Sequence, residues 1–166
     1  MIDIPSFDFS VALDNFLRLA IAFVLTLPVA LERERAGKPL GLRTFPLVAV
    51  ASTAYVMVGK VAFAGDLGAQ ARIIQGLITG IGFLGGGAIL KQGTNVRGTA
   101  TAASIWSTAA LGAAVAYGRY EIAVVLALIN FFVLDSLSKL SDTISDTMEG
   151  SGDEAAAEST GKSEQK

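Results

Sequence analysis

The glycine-dense stretch Gly80-Ile81-Gly82-Phe83-Leu84-Gly85-Gly86-Gly87 narrows the folds open to this chain more than any other feature. It lies in an apolar run, residues 73–90, interrupted only by small residues and Gln75. In a water-soluble helix each glycine costs about 1 kcal/mol relative to alanine. In a membrane helix glycines let a neighbouring backbone approach, so packing contacts replace the missing hydrophobic drive. Gly76 with Gly80, and Gly82 with Gly86, form two Gly-x-x-x-Gly pairs, and Gly85 and Gly87 lie beside them. The pattern predicts that this segment is the tightly packed centre of a small helical membrane protein, with these six glycines as its helix-packing residues.

Composition agrees. Of 166 residues, 52% are hydrophobic and 17% charged, against about 25% charged in soluble domains. The chain has neither cysteine nor histidine. Disulfides, thiolate nucleophiles, the usual zinc sites and imidazole bases are therefore excluded. A net charge of −2 carries no nucleic-acid signature. Residues 1–10 contain Asp3 and Asp8 and lack the basic start of a cleavable signal, so the first apolar segment is expected to target the chain and stay in place.

Five segments approach the roughly 20 residues needed to cross a bilayer: 11–31, 44–63, 71–90, 99–117 and 120–140. The reading is an all-α membrane protein, a bundle of five transmembrane helices over residues 11–140. Residues 1–10 form an extracytoplasmic N-terminus and residues 141–166 a cytoplasmic tail. A helical stripe of Leu137, Leu140, Ile144 and Met148 continues past the last segment. Residues 150–166 have too little apolar surface to offset ordering entropy and read as a disordered acidic tail. Arg33, Arg35, Lys38 and Arg43 in the first loop, and Lys91 and Arg97 in the third, outweigh Lys60, Arg72 and Arg119 on the other side. The positive-inside rule then places the N-terminus outside and the C-terminus in the cytoplasm.

Four places put polar groups where lipid penalises them. Asp14 and Arg18 read as an i,i+4 pair with Arg18 reaching to the interface. Glu32-Arg33-Glu34-Arg35 reads as a solvated, self-neutralising helix end; a functional role needs Glu32 or Arg43 to turn inward. Asn130 is expected near the midplane, bonding another helix. Asp135, nearer the cytoplasmic end, either reaches water or pairs with Arg97 or Arg43. In the third loop, Thr99 or Thr101 is a candidate cap for the fourth helix, and exposed amides there would suit an anion. The loop lacks the Gly-Lys-Ser/Thr ending of a P-loop. No catalytic set emerges, so no enzyme is expected. No resident cofactor is expected, and no metal ligands converge by spacing, although Glu32, Glu34 and Asp135 share one expected side.

The ordered motifs Leu31-Glu32-Arg33-Glu34, Gly41-Leu42-Arg43-Thr44, Arg72-Ile73-Ile74-Gln75-Gly76, the glycine stretch through Ile89, and Val96-Arg97-Gly98-Thr99-Ala100-Thr101-Ala102-Ala103 with Trp106 resemble those of the MgtC/SapB membrane-protein family. The resemblance covers about residues 13–120. It implies a bacterial inner-membrane protein linked to adaptation to low magnesium and, in intracellular pathogens, to virulence. It also implies a regulator acting on other membrane machinery, a transporter or the ATP synthase among its candidate partners, rather than a transporter itself. The alternative is a magnesium transporter or channel subunit, with magnesium as its ion, working as a homo-oligomer in the lipid bilayer. Two departures stand out. Leu27-Pro28-Val29-Ala30 occupies a stretch where the family often has small residues, and Pro28 is expected to free the Val24 carbonyl and kink the first helix. Some members carry an ACT-like cytoplasmic domain, where this chain has only its tail.

Overall fold

Apolar helices dominate the computed structural model, which describes residues 8–37, 40–92 and 95–137. Helix α1 runs from Phe9 to Arg35, α2 from Thr44 to Ala62 and α3 from Leu67 to Gly87. A two-stranded antiparallel hairpin follows, β1 Leu90–Gln92 and β2 Asn95–Arg97, with Leu90 opposite Arg97. Then come α4, Thr99–Ala116, and α5, Tyr120–Phe132. Helices α1 to α4 are each long and apolar enough to cross a membrane. Helix α5 starts where the sequence places its fifth span but has 13 residues, fewer than a crossing needs.

The contacts divide the chain into two units, Met1–Phe131 and Phe132–Lys166. In the second, the described part is the end of α5 and a π-helical turn, Val133–Leu137. The expected stripe beyond Leu137 and the expected disordered tail lie outside the described residues.

Local chemistry sets the helix ends. Asp8 caps α1, accepting from the Ser10 hydroxyl and from the Ser10 and Val11 amides. The Ser10 hydroxyl, then these amides, hold its carboxyl below the usual carboxylate range. Asp66 caps α3 by accepting from the Ala69 amide. Helix α1 continues unbroken through Pro28. The N-cap of α4 is neither Thr99 nor Thr101. It is Gly98, at φ 88°, with no side-chain cap. A Cβ at Gly98 would lie 2.0 Å from the Ala88 carbonyl oxygen, so the turn joining hairpin and α4 admits only glycine there.

The centre of the first unit is α4, packed along α2, which in turn packs against α1. This corrects the expectation for the glycine-rich third segment. Only Ala69, Ile81 and Gly85 of α3 are buried, and Phe83 is 83% exposed. The closest helix approach uses a different glycine. A Cβ on Gly112 of α4 would sit 2.4 Å from the Ala49 carbonyl oxygen of α2 and 3.0 Å from the Ser52 Cβ. The Thr53 hydroxyl lies 2.9 Å from the carbonyl oxygens of both Ala49 and Gly112 and joins the helices there. Around this point Ala22, Ala49, Leu111, Ala114, Val115, Ala123 and Ala127 form one buried cluster. Small side chains thus bring α1, α2, α4 and α5 to close range, as expected where lipid supplies no hydrophobic drive. At the far end of α2, Lys60 Nζ donates to the Ala116 carbonyl at 3.1 Å and lies 5.0 Å from the Tyr117 ring centroid. Since α2 and α4 meet both at Thr53–Gly112 and at Lys60–Ala116, they run in the same direction, with α3 as the return.

Replacing Gly112 with alanine should destabilise the purified protein by about 1–3 kcal/mol through overpacking. Gly86→Ala, where an added Cβ meets nothing, should change stability by no more than about 0.5 kcal/mol. Reversible unfolding in mixed micelles compares the two; equal effects would contradict the packing described.

Candidate functional site

Helix α1 buries Ala22, Thr26, Val29, Ala30 and Arg33, a spacing that keeps one face toward the bundle. Arg33 ends that stripe and is 4% exposed. Its Nε lies 3.3 Å from Glu32 Oε2, within ion-pair range. Neither atom has a hydrogen-bond partner. The Glu-Arg-Glu-Arg stretch is therefore not a uniformly solvated helix end. Glu34 and Arg35 are exposed, Glu32 is half-buried, and Arg33 belongs to the packed face. Sequence reasoning passed over Arg33. Its signal was the i+3 and i+4 spacing from Ala30 and Val29.

The following loop folds back on this end. Glu34 Oε2 accepts the Leu42 amide at 3.3 Å. Gly41 is buried, and a Cβ there would lie 2.6 Å from Glu34 Oε2, 3.2 Å from the Glu34 nitrogen and 3.3 Å from the Ala30 carbonyl oxygen. Arg43, the N-cap residue of α2, is exposed rather than turned inward. Arg97 is exposed on β2. Asp135 lies half-buried in the π turn of the second unit. Among the described residues, no three acidic, histidine or cysteine side chains come together as a metal site.

Asn130, Ser104 and Thr26, in the middle of the first unit, bond within it. Asn130 is buried and donates from Nδ2 to the Ser104 carbonyl at 3.3 Å and to the Thr108 hydroxyl at 3.4 Å, tying α5 to α4. The hydroxyls of Ser104 and Thr26 donate to carbonyls of their own helices. At the opposite end from Glu32, Arg18 Nε donates to Asp14 at 2.8 Å, the i,i+4 pair expected from spacing.

Of the six glycines singled out on α3, Gly85 contacts α4: a Cβ there would be 3.5 Å from the Ala102 carbonyl oxygen and from Trp106 Cδ1. A Cβ on Gly76, Gly80, Gly82, Gly86 or Gly87 would meet nothing within 4 Å. Those five residues are not packing residues inside the protomer. Gly76 and Gly80 instead line a groove of about 630 Å³ between α2 and α3, walled mainly by Leu47, Tyr55, Ile73 and Leu77. Arg72 and Ser52 also line it.

Among the described residues, four helices long and apolar enough to cross a membrane, with interhelical bonds among small residues, define a helical membrane protein. The chain belongs to the MgtC family, whose model matches residues 19–143. Protein SrpB of Synechococcus elongatus is 40% identical over 134 residues, covering 73% of this chain and 71% of SrpB. The protein named "Putative magnesium transporter YhiD" in Escherichia coli (strain K12) is 34% identical over 131 residues, covering 75% of this chain and 61% of its own. Protein MgtC of Brucella abortus is 43% identical over 94 residues, covering 57% of this chain and 39% of its own. The chain thus spans less than two thirds of the length of the last two. No solved structure matches it.

Losing one partner of a buried ion pair leaves the other charge uncompensated, whereas losing both does not. Glu32→Gln should therefore cost about 3 kcal/mol, and the double variant Glu32→Gln with Arg33→Met distinctly less. A double-mutant cycle read by unfolding in micelles checks the order; additive losses would show that the pair is not coupled.

Proposed function

We propose that this chain is a non-enzymatic regulator in the bacterial inner membrane that acts on other membrane transport or energy machinery during magnesium homeostasis. The observation that carries this reading is how the polar groups of the bundle are used. Thr53 joins α2 to α4, and Asn130 joins α5 to Ser104 and Thr108 of α4. Ion pathways need polar or charged linings open to water. Here Thr53 and Asn130 hold helices together, Thr26 and Ser104 bond within their own helices, and the centre is filled by Ala, Val and Leu. The proposed topology has five crossings, the fifth using α5 and the residues after it, with the N-terminus outside and the first loop and hairpin in the cytoplasm. That arrangement follows the excess of Lys and Arg in those two connections.

The second reading, a magnesium transporter or channel subunit, is favoured by the transporter name that YhiD carries. In that reading Asn130 and Asp135 would line a path formed by several copies.

Magnesium flux into proteoliposomes containing only the purified, inserted chain separates the two. The regulator reading expects flux no greater than in protein-free vesicles, with and without a membrane potential. Saturable magnesium entry that Asp135→Asn abolishes would contradict it and establish the transporter.

A further inference from the structure

Gly76 and Gly80 lie with Arg72 at i, i+4 and i+8 on α3, so all three present one stripe to the α2–α3 groove. On the α2 side, Ser52 is 1% exposed and its hydroxyl has no hydrogen-bond partner. Its neighbour Thr53, like Thr26 and Ser104 elsewhere in the core, donates to carbonyls. A buried hydroxyl left unbonded is costly in a medium without water, so the groove floor calls for an occupant that brings a polar atom to mid-span depth. At the end shared with Lys60, Arg72 is exposed, and no ion pair among the described residues involves it.

We propose that the α2–α3 groove is the docking face for a single transmembrane helix of another membrane protein, seated with a small-residue face on Gly76 and Gly80 and a carboxylate against Arg72. An acyl chain would fill the apolar walls but leave Ser52 unbonded. A helix offers backbone carbonyls and polar side chains at that depth. A second copy meeting the first through α3 about a two-fold axis would set Arg72 against Arg72, like charges in a poorly screened region. A partner helix with an acidic residue near that end meets the small-residue stripe, the hydroxyl and the charge together. The inference deepens the regulator reading and rests on it, since it supplies the partner's chemistry.

The test uses the full chain in vesicles of phosphatidylethanolamine and phosphatidylglycerol. The probe is a labelled synthetic single-span peptide, rich in leucine, with a Gly-x-x-x-Ala stripe and one glutamate near an end. Association is read by energy transfer. The wild type is expected to bind this peptide about tenfold more tightly than one whose stripe is all leucine. Gly80→Leu should remove the difference. A leucine there enters open groove, so the bundle stays intact, and an unchanged unfolding midpoint checks this. Arg72→Glu should weaken the glutamate peptide and strengthen its lysine counterpart. Equal binding of striped and stripeless peptides, or no reversal with Arg72→Glu, would overturn the proposal. So would self-association of the labelled chain that Gly80→Leu abolishes, which points to a second copy. Retention of phosphatidylglycerol through purification that Gly80→Leu abolishes would overturn it too, and points to lipid. Magnesium flux by the pure protein defeats the regulator reading whatever the peptide does. Absent peptide binding in a chain that moves no magnesium defeats the groove assignment alone.

Discussion

The contact between α2 and α4 at Gly112 is what the rest of the bundle depends on. With no room for a Cβ between Gly112 and the Ala49 carbonyl, the two backbones meet directly, and Thr53 bonds across the gap. That close approach leaves α4 enclosed, with α1 on α2, α3 against both α4 and α2, and α5 joined to α4 through Asn130. In lipid, apolar area alone does not drive helices together. Fit between small residues and a few interhelical hydrogen bonds does. The alanine cluster around Gly112 is the packing consequence.

The two ends of the first unit are built differently. At one, Lys60 sits on the C-terminal carbonyls of α4, where a cation complements the helix dipole, and Arg18 is neutralised by Asp14. At the other, Arg33 continues the packed stripe of α1 and meets Glu32, while Glu34 and Gly41 fold the loop back. A buried pair is weak support for stability. It lies at the helix end against which Glu34 and Gly41 fold the first loop.

Much of the architecture is legible in the residues, and the illegible parts have physical reasons. Hydrophobic run lengths place α1 to α4 to within a few residues, because a membrane-crossing helix must be continuously apolar. The role of α3 was not legible. A Gly-x-x-x-Gly stripe records that a backbone can be approached, and it reads the same whether the neighbour is α4 or an empty groove. Gly112, the glycine that does pack, sits alone in an alanine-rich helix with no pattern to mark it. The hairpin at Leu90–Arg97 is too short for an alternating pattern to stand out. Arg43 and Arg97 drew attention and Arg33 did not, although the phase of the α1 stripe separates the buried arginine from the exposed ones. The bond from Asn130 to α4 was legible in kind, since a mid-span amide seeks another helix, but its partners Ser104 and Thr108 were not.

The central claim is that α4 is enclosed while α3 shows its glycine face to its surroundings. Carbene labelling of the wild-type chain, from a lipid with a diazirine in its acyl chain, tests it without any substitution. Peptide mapping should find heavy labelling around Phe83 to Gly86 and little over residues 108–116. Heavy labelling of residues 108–116 with α3 spared would put α3 at the centre after all and contradict the account.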